Sequence, residues 1–254
     1  MGGGLTAAAV PERFGGPQPP VPPGTPVPGP VLPRDFLARP AQQVAPGLLG
    51  CVLRHDTPDG AVAVLITEVE AYAGAADAAS HAFRGRTART AVMFGEPGHA
   101  YVYFTYGLHF CVNLVCLPAG TASAVLLRAG RIIEGTALAV RRRYAVGGLS
   151  GARERDLARG PARLCQALGI DRALDGADVC DPGSPLRVSG PARAVTAAGI
   201  HRGPRVGVSR AARVPWRFWI AGDPTVSAYR AYVPRRAAAK AVSDPAVDGG
   251  TIHR

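Results

Sequence analysis

The sequence lacks the features of several large protein classes. No apolar run approaches the roughly 20 residues that a membrane-spanning helix needs, and no basic segment followed by an apolar stretch marks a secretory signal. It contains no GxGxxG after a strand, no GxxxxGK followed by Ser or Thr, no HExxH and no GxSxG. These absences exclude the common nucleotide-binding, zinc-protease and α/β-hydrolase motifs, and we expect a cytoplasmic protein without a membrane partner.

Cysteine is scarce and lysine is scarcer. The five cysteines are an odd number without CxxC spacing, which argues against a disulfide framework, a zinc ribbon and a four-cysteine iron–sulfur cluster. We therefore expect reduced and mostly buried thiols. Of the 29 basic residues, only Lys240 is a lysine.

Acidic residues are few relative to basic ones, so the formal net charge is +11 and the isoelectric point is about 10.2. A surplus of this size favours a polyanionic partner, through phosphate contacts and the release of counterions. The composition is also rich in Ala, Gly, Pro and Arg, so codon bias is an alternative origin of the charge. On charge alone, nucleic acid is the favoured partner.

The two ends of the chain differ from its middle. Residues 1–33 contain ten of the 24 prolines and seven glycines, with almost no charge. Such a segment buries too little apolar surface to offset the entropy lost on ordering. We predict a disordered tail over residues 1–33, one folded domain over 34–230, and a second tail over 231–254.

The middle of the chain predicts a single compact α+β domain around a curved, mostly antiparallel β-sheet, with flanking helices and a protruding β-hairpin. Short connections between β-rich runs predict the antiparallel pairing. The predicted strands are Cys51–His55, Ala61–Val69, Ala100–Tyr106, Leu108–Cys116, Thr121–Arg128, Arg205–Val208 and Arg217–Ile220. The predicted helices are Glu134–Tyr144 and Pro161–Leu168, the second with Pro at its first position and Gly169 beyond its end.

Two carboxylates lie at the end of the second predicted strand. With a period of two, Glu68, Glu70 and Tyr72 share one face of that strand. A carboxylate beside an aromatic ring can be a general base aimed at a water molecule, and a solvated strand end is the alternative. His81 follows nine residues after the tyrosine and is either part of this site or a structural histidine.

Four of the sixteen aromatic residues lie between residues 101 and 106. Tyr101 and Tyr103 are predicted on one face of the strand, and Phe104 and Tyr106 on the other. A core strand explains Phe104 but not Tyr106, which stands immediately before Gly107 at a predicted tight turn. A tyrosine on a protruding hairpin is a suitable wedge for a base stack.

Arginines occur at two further positions of interest. Arg128 ends an apolar strand and is either a salt-bridging structural residue or a phosphate clamp. Arg84, Arg86 and Arg89 are interleaved with Gly and Thr after His81, which is typical of a phosphate-contacting loop and also of a solvated one. The residues by themselves do not choose between these interpretations.

Together these segments resemble the alkyladenine (3-methyladenine) DNA glycosylase family. The resemblance runs from about Leu32 to Tyr229. Its motifs, in order, are Thr67–Gly74 with His81, Met93–Phe94 with Pro97–Gly98, Tyr101–Asn113, Ala124–Arg128, Gly160–Leu168 and Arg205–Val208. It implies a single α+β domain that acts as a monomer on double-stranded DNA containing damaged purines, without metal or cofactor.

The implied activity is that of a monofunctional DNA glycosylase of base excision repair. Such an enzyme flips alkylated or deaminated purines (3-methyladenine, 7-methylguanine, hypoxanthine or ethenoadenine) out of the duplex, and it hydrolyses the N-glycosidic bond to leave an abasic site. A lyase would need an amine for a Schiff base. Lys240 lies in the predicted tail, so we expect no lyase activity. We expect a cytoplasmic, nucleoid-associated protein.

The resemblance also implies a catalytic group. Glu70 matches the general base that activates water for attack on the sugar C1′. Arg128 matches the arginine near the target phosphate and the attacking water. The main chain at Val206 is expected to help hold that water.

Other matching positions are implied to contact the base and the duplex. Tyr72, His81 and Tyr103 match the walls of the base pocket. Asn113 matches the residue that screens the purine edge and disfavours the exocyclic amine of guanine. Tyr106 matches the side chain inserted where the flipped nucleotide was.

Three other functions remain open on the residues. A nucleic-acid binder without turnover would share the charge, the wedge and the pocket. A carbohydrate glycosidase would use Glu68 and Glu70 as its carboxylate pair, although carboxylates two residues apart on one strand are poorly placed to flank a bond. A purely structural α+β domain with accidental basic charge is the third.

Overall fold

A computed structural model describes residues 28–105, 107–144, 153–192 and 194–234. The strands of these ranges are β1 Val52–Thr57, β2 Gly60–Tyr72, β3 Ala100–Thr105, β4 His109–Cys116, β5 Ser123–Glu134, β6 Leu186–Ser189, β7 Ile200–Gly203 and β8 Arg217–Ile220. The α-helices are α1 Arg34–Leu37, α2 Ala41–Gly47, α3 Thr136–Tyr144 and α4 Pro161–Leu168.

The strands form one antiparallel sheet that does not close into a barrel. Its order is β3-β4-β5-β2-β1-β6. In addition, β8 pairs with the C-terminal part of β2, and β7 pairs with β8. Every strand pair is antiparallel. The predicted single α+β domain around an antiparallel sheet is confirmed.

Strand β2 is the centre of this arrangement because it pairs with three other strands. Its side chains Val62, Val64 and Ile66 face the main core, and after a shift in the register with β5 near Glu68 the core-facing residues become Val69 and Ala71. Such an irregularity adds a residue and re-aims the side chains that follow it. It turns the even-numbered positions after residue 66 away from the core.

Helix α4 packs against β4 and β5 and contributes to the main core. It begins at Pro161 and ends before Gly169, whose φ of 71° is left-handed, as the sequence predicted. Leu164 and Leu168 are fully buried on its inner face. The five cysteines are free, and four of them are buried, in agreement with the prediction of reduced, mostly buried thiols.

One predicted strand is wrong. Residues 205–208 form a turn rather than a strand, and the true strand β7 lies just before them at Ile200–Gly203. Pro204 has no N–H to donate to a ladder, and Gly207 has a left-handed φ of 69°. The chain therefore turns here and does not pair.

Other predicted elements are correct in type and differ in their ends. Strands β2 and β5 are longer than predicted, reaching Tyr72 and Glu134. Helix α3 begins at Thr136 because Glu134 belongs to β5 and Gly135 turns with a φ of 75°. The hairpin of β3 and β4 pairs Thr105 with His109, and Tyr106 lies outside the described residues.

The predicted tails fall largely outside the described residues as well. Residues 28–33 are described, and Leu32 donates its N–H to Val188 O at 2.8 Å and is buried. The C-terminal segment is described to residue 234, with Tyr232 and Val233 exposed. Over the described ranges, no helix combines the length and the apolar character needed to cross a membrane.

Candidate active site

A cleft of about 460 Å³ opens on the side of the sheet that faces away from the main core. It lies between the loop that follows β2, the β3–β4 hairpin, the start of α4 and the loop that follows β7. Its walls include Tyr72, Ala78, Ala79, Ser80, His81, Met93, Tyr101, Tyr103, Thr105, His109, Cys111, Asn113, Leu126, Arg128, Pro161, Ala162 and residues 206–210. Five of the predicted site residues are side chains of this wall, and Val206 lines it as well.

Glu70 lies directly behind this wall and has no exposed surface. Its Oε1 accepts a hydrogen bond from the main-chain N–H of Val206 at 2.7 Å and pairs with Arg128 Nη1 at 3.2 Å. Its Oε2 accepts a hydrogen bond from the Tyr72 hydroxyl at 2.8 Å. The two hydrogen-bond donors and the ion-pair partner all line the cleft, so the carboxylate is oriented by the residues that separate it from the cleft.

Glu68 occupies a different environment on the same face of β2. It is also fully buried, and it accepts hydrogen bonds from Arg128 Nε at 2.8 Å, Arg217 Nε at 2.7 Å, and Ser227 N and Oγ at 2.6 and 2.9 Å. Burial raises the pKa of Glu68, but the two arginines and Ser227 outweigh burial and hold the pKa below its usual value. Both carboxylates are enclosed, and neither is a solvated strand end.

Arg128 links the two carboxylates. Its Nε donates to Glu68, its Nη1 faces Glu70, and its side chain is 7% exposed. Burial lowers the pKa of Arg128, whereas Glu70 and Glu68 outweigh it and raise the pKa above its usual value. Arg128 is therefore a salt-bridging residue that also reaches the cleft, so both of its sequence interpretations remain compatible with its position.

The aromatic wall of the cleft consists of His81, Tyr101 and Tyr103. The His81 and Tyr103 rings are edge-to-face with centroids 4.5 Å apart, and the Tyr101 and Tyr103 rings are stacked with centroids 5.5 Å apart. His81 Nδ1 lies 3.3 Å from the Tyr101 hydroxyl. His81 is exposed as a residue, yet burial of its ring and the charge of Arg89 lower its pKa, so the imidazole is neutral at neutral pH.

Tyr72 on β2 and Asn113 on β4 both line the cleft, on strands that flank β5. Burial, and then the neighbouring carboxylate of Glu70, raise the pKa of Tyr72 well above its usual range. This phenol is therefore a hydrogen-bond donor at all pH values near neutrality. Asn113 is buried, and its Nδ2 donates to Tyr101 O at 3.1 Å, which leaves its Oδ1 as the free acceptor of the amide.

The cationic loop after His81 lies beside the aromatic wall. Arg84, Arg86 and Arg89 are exposed, and the guanidinium carbon of Arg89 lies 5.5 Å from the centre of the Tyr103 ring. At the tip of the hairpin, Leu108 is 72% exposed. The predicted wedge Tyr106 adjoins this tip but is not among the described residues.

The described residues contain no group of three or more His, Cys, Asp and Glu side chains that could hold a metal ion. The carboxylates of the site are instead held by arginines and by main-chain and hydroxyl donors.

Several residues of this site were not predicted. Arg217 and Ser227 hold Glu68, and a buried ion pair joins Arg205 to Asp77 next to the cleft. Arg217 is the first residue of a strand that was predicted correctly. An arginine at the start of a strand is ordinarily a surface residue, so it was not predicted as part of the site. Only the pairing of β8 with β2 brings it opposite Glu70, and local sequence carries no signal for that pairing.

Comparison with known proteins agrees with this arrangement. The family model described as methylpurine-DNA glycosylase matches residues 35–224. A relative from Streptomyces avermitilis is 59% identical over 208 residues, which cover 81% of this chain and 94% of the relative. A relative from Leifsonia xyli is 55% identical over 203 residues, covering 78% and 92%. One from Frankia casuarinae is 48% identical over 211 residues, covering 80% and 93%.

All three relatives carry the name "Putative 3-methyladenine DNA glycosylase". The family match spans the strands and loops that build the cleft. The chain therefore belongs to the methylpurine-DNA glycosylase family and is a DNA glycosylase, a hydrolase of DNA repair.

Proposed function

We propose that the protein is a monofunctional glycosylase that flips alkylated or deaminated purines out of duplex DNA and hydrolyses their N-glycosidic bond. The observation that carries the proposal is the position of Glu70. It is a buried carboxylate whose two hydrogen-bond donors, Tyr72 and the Val206 main chain, and whose ion-pair partner Arg128 are themselves cleft walls.

In this mechanism Glu70 is the general base. It takes a proton from a water molecule that attacks C1′ of the flipped nucleotide, and proton transfer of this kind contributes typically about 10²–10⁴-fold to a rate. Its negative charge also stabilises the cationic character that the sugar acquires as the bond breaks. Arg128 and the main chain at Val206 keep the carboxylate oriented and border the space where the water has to sit.

The purine occupies the cleft between Tyr72 and the wall of His81 and Tyr103. Alkylation leaves positive charge on a purine, and a cation over a tyrosine face gains about 0.5–2 kcal/mol. Because the His81 ring is neutral, it adds no repulsion against such a base. Neutral lesions such as hypoxanthine and ethenoadenine are held by stacking on the same rings.

Asn113 selects against guanine in this proposal. Its amide N–H is engaged by Tyr101 O, and the side chain is buried, so the group cannot turn freely to suit a new partner. A purine whose edge carries an exocyclic amine would have to fit against this fixed amide. The discrimination in this proposal is therefore steric, because the buried side chain is held in place against the amine.

Duplex DNA is the substrate in this proposal, and Tyr106 fills the gap left by the flipped nucleotide. The net charge of +11 and the exposed arginines of the loop after His81 supply sequence-independent attraction to phosphates. The protein acts as a monomer at the nucleoid in the cytoplasm, with no metal or cofactor. It has no lyase step in this proposal, since its one lysine, Lys240, lies beyond the predicted domain of residues 34–230.

A carbohydrate glycosidase built on Glu68 and Glu70 is disfavoured. Such an enzyme places one carboxyl group on each side of the scissile bond. Glu68 and Glu70 lie two residues apart on one face of β2, and Arg128 bridges them, so they do not flank a bond. Glu68 also accepts from four donors, which favour its ionised form and disfavour a role as proton donor.

The proposal is tested with labelled duplexes that carry one hypoxanthine, ethenoadenine or 7-methylguanine. We expect free base and an abasic site that breaks on treatment with alkali, without strand cleavage by the protein itself. Borohydride should trap no covalent complex, because no Schiff base forms. Tight, lesion-selective binding without base release on any of the three duplexes would identify a non-catalytic binder and contradict the proposal.

A further inference from the structure

We infer that Asp77 and Arg205 are positioning residues for catalysis, a buried ion pair that fixes the donors to Glu70 and both loops of the cleft. This inference rests on the proposed function. Neither residue lines the cleft, so neither is expected to touch the substrate.

The ion pair is bidentate and completely enclosed. Arg205 Nη1 lies 2.5 Å from Asp77 Oδ2 and Nη2 lies 2.9 Å from Oδ1, and both side chains have no exposed surface. The two residues are 128 positions apart in the chain. Neither belongs to a strand or an α-helix, so the pair joins two loops rather than two pieces of the sheet.

Arg205 acts on both hydrogen-bond donors to Glu70. The next residue along the chain is Val206, whose N–H donates to Glu70 Oε1. The Arg205 guanidinium also lies 4.6 Å from the ring centre of Tyr72, whose hydroxyl donates to Oε2. It further donates from Nη1 to Ala71 O at 3.0 Å, so one side chain fixes both donors relative to the end of β2.

Asp77 acts on the other loop of the cleft. Its carboxylate accepts the N–H groups of Ala73 and Ala79 at 3.3 and 3.1 Å, and its carbonyl accepts the N–H of Ser80 at 2.8 Å. These bonds fold the turn that carries residues 78–81 into the cleft wall. His81, an aromatic wall of the site, therefore depends on the same ion pair as the donors to Glu70.

A role in stability alone does not account for this arrangement. The desolvation of two charges offsets much of their attraction, and apolar substitutes of similar volume are often as stable. A bidentate pair instead provides a fixed geometry. Displacing a reacting group by about 1 Å can reduce a rate by about 10²-fold. The largest effect of this ion pair is therefore on the reaction rate, through the positions of the two loops.

The test is base release from a hypoxanthine duplex under single-turnover conditions with enzyme in excess. We expect Asp77→Asn and Arg205→Gln to lower the rate constant by about 10–10²-fold while the reaction still reaches the wild-type amplitude. Arg205→Lys retains the charge and one hydrogen bond, so it should recover part of the loss. A matched control is Asp56→Asn, which disturbs the ion pairs of Asp56 with Arg54 and Arg187 on β1 and β6, away from the cleft.

Circular dichroism under the assay conditions separates positioning from stability. With enzyme saturating and in excess, a partly unfolded population leaves the rate constant of the folded enzyme unchanged, so a lower rate constant in a folded variant reports positioning. A second measurement is the fluorescence emission of Trp216, whose ring centre lies 5.3 Å from the Arg205 guanidinium. In a Trp219→Phe background, its emission should change in Asp77→Asn and not in Asp56→Asn.

Wild-type rate constants in both Asp77→Asn and Arg205→Gln, whatever their amplitudes, would overturn the inference. Wild-type protein that releases no base contradicts the proposed function instead, so the two failures are distinguishable.

Discussion

Glu68→Gln should destabilise the protein strongly although it changes a single atom. The amide still accepts from Ser227, but it no longer neutralises Arg128 and Arg217, both of which are buried. Removing one partner of a buried charge cluster costs about 3–5 kcal/mol, because the remaining charge stays without compensation. For a domain of this size about 1 kcal/mol corresponds to about 2–4 °C, so the unfolding midpoint should fall by about 6–20 °C.

The pH dependence of this difference identifies its cause. The pKa of Glu68 is lower in the folded protein than its ordinary value of 4.5, so the ionised carboxylate favours the folded state. The contribution is fully present above pH 4.5 and is lost as the pH falls through the folded pKa. The difference between wild type and Glu68→Gln should therefore be constant near neutrality and shrink in acid.

The measurement is urea unfolding followed by circular dichroism at several pH values. Glu134→Gln is the matched control, because Glu134 pairs with Arg54 at the surface and its side chain is 43% exposed. An exposed pair contributes about 0–1 kcal/mol. A Glu68→Gln effect no larger than that of Glu134→Gln, or one that does not shrink in acid, would refute the reasoning.

Three further changes test other parts of the structure. Leu164→Ala empties a fully buried position of α4 and should cost about 2–5 kcal/mol in urea unfolding; a cost below about 1 kcal/mol contradicts the assigned packing. Tyr106→Ala should reduce the preference for a lesion duplex over an undamaged one, with Phe104→Ala on the same hairpin as control; an unchanged preference argues against a wedge. Deletion of residues 1–27 should leave base release from short duplexes near wild type, and a large loss would show that the tail contributes to catalysis.

The strands were largely predictable because their apolar residues alternate or cluster over several positions. Their ends were not, and β2 shows the reason. Its last residues, Glu68 to Tyr72, are polar enough to resemble a strand end, but tertiary partners bury them. Helix α2 was missed because it contains Pro46 within its span, a residue that argues against a helix interior.

The site was predictable where its residues are close in sequence. The segment from Glu68 to Tyr72 and the hairpin carrying Tyr103 and Asn113 each show a local pattern of polar and aromatic residues. The structure brings the two segments together at one cleft. Their partners come from far along the chain, since Ser227 lies 159 positions from Glu68. A hydrogen bond at that separation is determined by strand pairing and loop packing, which a single sequence does not display.

The most direct test of the central claim is Glu70→Gln, compared with wild type for both lesion binding and single-turnover base release. The amide is isosteric: its oxygen can accept from the Val206 N–H, and its NH2 can donate to the Tyr72 hydroxyl oxygen. It is not basic enough to take a proton from water. The proposed mechanism predicts lesion-duplex binding close to wild type and a loss of base release of about 10²–10⁴-fold. Release within a few-fold of wild type would contradict the assignment of Glu70 as the general base.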